Sequence, residues 1–165
     1  MIIDRELMFS NAQAVTAAAA STDLIDLAPL GLAASAGGSP TNLGRNLGVG
    51  QETYIWVSVD VAMTDAGSDS TITVDLQTDD NSGFASAATV ATLLTIPAVQ
   101  AAGAKFFVRV PIARDTVPYE RYIRLNYTPN NGNLTTGSFS AGLILNIDTL
   151  APVGTYVGGY TNLAG

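Results

Sequence analysis

The chain has no cysteine, no histidine and a single lysine, Lys105, among its 165 residues. Without thiols and imidazoles there is no disulfide framework, no thiolate nucleophile, no histidine base and none of the usual zinc or haem ligand sets. Most enzyme templates are thereby excluded, and the expectation is a non-enzyme that holds no cofactor and no metal. Charge is scarce as well: 13% of residues are charged, against about 25% in an ordinary soluble domain. Much of the polar surface must then be Ser, Thr, Asn, Gln and backbone, which suits burial against partners. Seven basic residues against fourteen acidic ones leave a net charge of −7. The clustered cations that a phosphate backbone demands are missing, so no nucleic acid is expected as a partner. No apolar run has the length of a signal peptide or a membrane span, since residues 17–20 are too short and too weakly hydrophobic. The expectation is synthesis in the cytoplasm and no membrane partner.

What the chain does have is alternation. Its length is that of one domain with a core of its own, and the densest pattern runs over residues 119–127. Read with period two, Ile123, Leu125 and Tyr127 point one way and Tyr122, Arg124 and Asn126 the other. Pro118 before this strand and Pro129-Asn130-Asn131-Gly132 after it mark where it starts and turns. Residues 53–62 repeat the pattern, with Ile55, Val57, Val59 and Val61 against Tyr54, Trp56, Ser58 and Asp60. Residues 71–78 place Ile72, Val74 and Leu76 inward, and turn chemistry at 65–70 makes the two segments read as a hairpin. Further strands are expected at 88–96 (flatter, stopped by Pro97), 105–110 (ended by Pro111) and 138–147.

The ends are less regular. Residues 1–9 read as an arm or edge strand. The alanines of 11–20 favour helix by propensity, yet Val15-Thr16 interrupts them; strands at 12–16 and 23–27 are favoured, with the helical reading left open. From Pro29 to Gly50 the glycines mark a long loop without a period of its own, and 148–165 reads as an extended arm. About seven or eight short strands with turn signals between them make a single all-β domain. The expected fold is a jelly-roll-like antiparallel β-sandwich with N- and C-terminal arms and a Gly-rich loop, although residue pattern alone does not choose between jelly-roll and immunoglobulin-like order.

Chemical motifs are weak. The loop at 44–50 lacks the Lys and Ser/Thr of a phosphate-binding loop and precedes a strand instead of a helix. Asp79-Asp80-Asn81-Ser82-Gly83 and residues 65–69 resemble fragments of calcium loops, but position twelve from Asp79 is Val90 where the loop needs Glu, so solvated turns are the better reading. Glu6, Glu52 and Glu120 give no carboxylate pair that can be placed on facing strands. Arg109, Arg114, Arg121 and Arg124 are the main basic concentration. They either pair with neighbours such as Asp115 and Glu120 or mark an interface, where Arg and Tyr are enriched. The candidate interface residues are Arg5, Arg45, Tyr54, Trp56, Arg109, Tyr122 and Arg124. Trp56, the only tryptophan, is expected either under a roof made by the chain itself or against a partner.

Three groups of residues carry a resemblance: DRELMFSNAQAVTAAAASTDLIDL at 4–27, YIWVSVDVAMTDAGSDSTITVDLQTDDNSGF at 54–84, and FFVRVP with ERYIRLNY at 106–111 and 120–127. In this order, over nearly the whole chain, they resemble the capsid cement, or decoration, proteins of short-tailed bacteriophages, the family that includes a Bordetella phage cement protein. The resemblance implies a jelly-roll homodimer on the outside of an icosahedral shell. There it would clamp neighbouring subunits of the major capsid protein, after synthesis and assembly in the host cytoplasm, with no catalytic residues to carry over. A rival from another class is a carbohydrate-binding or adhesion sandwich of a phage tail or fibre, with Tyr54, Trp56 and Tyr122 as a sugar-stacking platform.

Overall fold

The computed structural model describes residues 5–27, 52–111, 117 and 119–145. The expected 29–50 loop with Arg45, the cation Arg114 and the 148–165 arm lie outside the described residues. Among the described residues a single 3-10 turn, Arg5–Leu7, leads into nine strands: β1 Met8–Ala14, β2 Ala19–Ala20, β3 Ile25–Asp26, β4 Thr53–Thr64, β5 Thr71–Asp79, β6 Ala88–Ile96, β7 Lys105–Arg109, β8 Tyr122–Asn130 and β9 Thr136–Leu145. They form two antiparallel sheets packed as a sandwich. The first has the order β1-β9-β4-β7, and the second β2-β8-β5-β6, with β3 also on β8.

The alternation in β8 and β5 is realised as read. Ile123, Leu125 and Tyr127 of β8, and Ile72, Val74 and Leu76 of β5, are each 0% exposed, while the residues between them are half-buried on the outer face. β8 begins and ends three residues later than expected, and Pro129 lies inside it, opposite Ile72. Proline is tolerated there because β2 reaches only as far as Tyr127, so beyond that point no described strand on that side asks Pro129 for an N–H. The turn falls at Asn131 and Gly132, whose φ values of 63° and 120° suit those two residue types.

The expected hairpin of 53–62 with 71–78 does not form. β4 pairs with β7 and β9 in the first sheet, and β5 pairs with β6 and β8 in the second. The connection between them is an arch from one sheet to the other. Asp65 organises it, accepting from Gly67 N at 3.1 Å and Ser70 Oγ at 3.0 Å. The apolar faces of the two strands therefore meet across the core, and burial favours that arrangement over pairing side by side.

Bulges explain the other departures. Val61 was expected inward with Ile55, Val57 and Val59, but it is 50% exposed, and Met63 takes the inward place at 1%. The register slips at this point, from Val59↔Phe139 to Val61↔Ser138, so an extra residue in β4 turns Val61 outward, and a second shift between Val61 and Thr64 returns Met63 to the inner face. In β6 the pairing skips Val90 and Leu93, which leaves Thr89, Thr92 and Thr95 in one outer row. The helical reading of 11–20 is overturned: β1 runs through residue 14, with Ala12 at φ 49° inside the register shift between Ser10 and Gln13. Pairing with β9 and β8 overrides the helix propensity of the alanines. β1 also joins the two segments expected at 1–9 and 12–16, and Phe9 within it is fully buried.

The core between the sheets gathers Phe9, Ile55, Val57, Val59, Met63, Ile72, Val74, Leu76, Ile96, Ile123, Leu125, Tyr127 and Phe139. Two outer faces remain, and they carry the candidate residues.

Candidate functional site

On the outer face of the first sheet, β4 sets Tyr54 beside Arg109 of β7 and Ile144 of β9, and Trp56 beside Phe107 and Gly142. Arg109 Nη2 lies 3.3 Å from Glu52 Oε1, and the Tyr54 hydroxyl donates to Glu52 Oε2 at 2.8 Å. That hydrogen bond, more than any other cause, raises the Tyr54 phenol above its ordinary range. Trp56 is only 6% exposed within the single chain. A Cβ added at Gly142 would sit 3.0 Å from Trp56 Nε1 and 2.8 Å from the Leu7 carbonyl, so the absence of a side chain there admits both the indole and the 3-10 turn. The indole Nε1 is buried without a hydrogen-bond partner among the described residues. Phe107, which the sequence analysis did not single out, is 42% exposed on the same face.

The outer face of the second sheet is a bonded polar array. Arg124 Nε donates to Gln77 Oε1 at 2.9 Å, the Thr92 hydroxyl to Asp75 Oδ1 at 2.6 Å, and Asn130 Nδ2 to Thr73 Oγ1 at 2.8 Å. The Arg124 guanidinium lies over the Phe84 ring at 4.2 Å. Arg121 lies over Tyr122 at 4.9 Å and holds Asp26 with a 2.8 Å ion pair. Tyr122 and Arg124 are thus brought together, as are Tyr54, Trp56 and Arg109, but the two groups lie on opposite sides of the sandwich. The three aromatics of the sugar-platform reading are therefore divided between the faces and form no common platform. Arg5 stands apart from both, in an open cleft of about 530 Å³ lined by Arg5, Glu6, Met8, Asp23 and Leu24.

The acidic turn after β5 is more structured than a solvated turn. Asp79 is 0% exposed, and its carboxylate accepts from Asn81 N and Ser86 N at 2.8 Å each. These donors, the Asn81 amide foremost, hold its pKa below the ordinary aspartate value despite burial. Asp79, Asp80 and Glu120 bring carboxylate oxygens within 4.8 Å of one another and are the one group among the described residues with metal-ligand proximity. Sequence spacing did not bring Glu120 there, because β8 enters the sheet beside Asp79 from a distant part of the chain. Among the described residues, no helix is long and apolar enough to cross a membrane.

No curated protein matches the chain. The family model Bbp16 matches residues 9–143, a span that runs from β1 through β9 and takes in both sheets. Because that match covers most of the sequence, the chain belongs to the Bbp16 family, whose name is that of a Bordetella phage-related protein.

Proposed function

We propose that this chain is a structural virion protein, a capsid cement or decoration protein that binds the outside of an icosahedral phage shell and clamps neighbouring subunits of the major capsid protein. The observation that carries the reading is the family match over residues 9–143. The fold supports it. Counting β2 and β3 as one interrupted strand, the orders β1-β9-β4-β7 and β2-β8-β5-β6 support a jelly-roll reading of the sandwich, a fold common in capsid proteins. The chemistry agrees: a chain without histidine or cysteine and with little charge is suited to fitting surfaces together, not to acid-base catalysis. In this reading the protein is made in the host cytoplasm, associates as a homodimer and binds no nucleic acid, as its charge of −7 favours.

The test is to mix purified protein with phage heads assembled without it and to image the heads by electron cryomicroscopy. Saturable density on the outer surface, together with a higher head-disruption temperature, is the expected result. Heads that stay bare at micromolar protein overturn the reading.

A further inference from the structure

The two strand orders run side by side, with β9 facing β8 through the Tyr127–Phe139 stack and the β4–β5 arch beside it. The edge strands β7 and β6 therefore lie along one side of the sandwich, and that side is left open. Of the seven apolar residues that pack on the core while only partly buried, five belong to β6, to β7 or to the residue before β7: Val90, Leu93, Leu94, Ala104 and Phe106. Val99, in the connection between the two strands, is 59% exposed. The four edges differ in how they are protected. β1 is covered by residues 20–23, where Asp23 N donates to the Phe9 carbonyl at 2.9 Å and the Gln13 side chain bonds Ala20 O and Thr22 N. β2 and β3 have two residues each, and β7 has five with Lys105 and Arg109 at its ends. β6 has nine residues with no charge, no proline and no glycine, and no described strand lies on its free side. A long edge without charge or proline is a template for strand addition.

We propose that β6 adds antiparallel to β6 of a second copy of this chain, about a two-fold axis at Thr92. The homodimer belongs to the function proposed above; the choice of edge rests on the fold alone.

Self-complementarity chooses the occupant. A two-fold axis sets residue i opposite residue j and j opposite i, so a strand that pairs with its own copy must read alike from both ends. β6 does: Ala-Thr-Val-Ala-Thr-Leu-Leu-Thr-Ile has threonine and apolar residues in the same order in either direction. About Thr92 the axis places Thr92 opposite Thr92, Thr89 opposite Thr95 and Val90 opposite Leu94, and threonine pairs and apolar pairs are favourable across antiparallel strands. The register shifts at Val90 and Leu93 twist the strand, but they are also what brings the three threonines into one exposed row. Charge agrees. Each copy carries −7, yet residues 81–104 contain no charged side chain, so contact along β6 sets no like charges opposite one another. Asp75 of β5, which accepts from Thr92, stays three strand spacings, about 14 Å, from its copy and is screened. Pairing also takes the partly buried surface of Val90 and Leu94 out of water.

Sedimentation and cysteine crosslinking of the full chain test the proposal. Wild type is expected to sediment as a dimer at micromolar concentration. Thr92→Cys puts a thiol into a chain that has none, at the axis where two copies meet. Mild oxidation should link most of it into a disulfide dimer, while Val61→Cys, exposed on the first sheet's outer face, stays unlinked. Thr89→Cys and Thr95→Cys should link poorly alone and well after mixing and subunit exchange, which fixes the antiparallel sense and the register. Thr92→Lys sets two cations face to face and should associate about tenfold more weakly or worse. A wild-type monomer overturns the proposal, and this is the result if another segment of the chain covers the edge. A dimer in which Thr92→Cys stays unlinked, or in which Thr92→Lys associates as tightly as wild type, overturns it as well. A monomer that still coats phage heads removes the β6 contact and leaves the virion reading intact. A β6-linked dimer that leaves heads bare keeps the contact and sinks that reading.

Discussion

Tyr127 of β8 stacks on Phe139 of β9, with ring centroids 5.7 Å apart and planes 16° from parallel. The two sheets are thus joined by an aromatic pair at the middle of the core. The Tyr127 hydroxyl lies 2.9 Å from Ser10 Oγ on β1, and Ser10 in turn donates to Gln13 Oε1 at 2.8 Å. One buried hydroxyl therefore ties the central strand of the second sheet to the edge strand of the first. Tyr127→Phe keeps the ring stack and removes this tie, and Ser10 is left fully buried without its donor. The expected cost is about 1–2 kcal/mol of unfolding free energy, read by urea denaturation.

The same burial makes stability fall at alkaline pH. Loss of water around the rings raises the phenol pKa values of Tyr127 and Tyr119 above the ordinary tyrosine value. Below about pH 10 both states keep these protons and the stability is fully present; above it the unfolded chain releases them while the native chain retains them, so stability falls as pH rises. Melting temperatures measured from about pH 8 to about pH 11 should decline above about pH 10. The decline should be shallower in Tyr127→Phe.

Gly142→Ala tests the roof over Trp56. The added Cβ meets the Leu7 carbonyl at 2.8 Å, the indole nitrogen at 3.0 Å and Met8 Cα at 3.3 Å. Two of the three are backbone atoms with little room to move. A loss of about 1–3 kcal/mol is expected by calorimetry or denaturant titration.

Trp56 itself separates a folding role from a docking role. Trp56→Ala should lose about 3–5 kcal/mol of stability. Trp56→Phe should lose less, because it also removes the buried N–H that has no partner among the described residues. Association per folded molecule should be unchanged in both, since only 6% of Trp56 is open to a partner; weaker association at equal folded fraction would place Trp56 in an interface.

Asp79 makes the turn after β5 sensitive to acid. Its pKa is lowered in the folded chain by the Asn81 amide first and the Ser86 donors after it. Its contribution is therefore present above the unfolded value of about 4 and is lost as pH falls through the lower folded value. Asp79→Asn should reduce stability at neutral pH and flatten the fall in melting temperature below about pH 4.

Much of this molecule was legible because the strand period is local. The inward residues of β5 and β8 follow from alternation alone, as does the all-β class, since each side chain's face is set by its neighbours along the chain. Lys105–Arg109 also emerged as read, bounded by turn and proline. Where one extra residue enters a strand, that local rule fails. Val61 turns outward while Met63 stays inward, and Thr89, Thr92 and Thr95 line up, because bulges are placed by the partner strand and not by the bulged sequence.

Sheet membership was likewise a tertiary decision. The turn at 65–70 is compatible with a hairpin or an arch, and the arch prevails because β4 and β5 bury more apolar surface facing each other across the core than lying edge to edge. The candidate residues follow from that choice. By itself the sequence determined which side chains lie outside: Tyr54, Trp56, Tyr122 and Arg124 all alternate with core positions. Only the fold decided that Trp56 is covered above Gly142, that Asp79 and Glu120 meet, and that Arg124 is fixed on Phe84 and Gln77. Each of these contacts joins segments far apart in the chain, and closing such loops is favourable only when the whole sandwich forms at once.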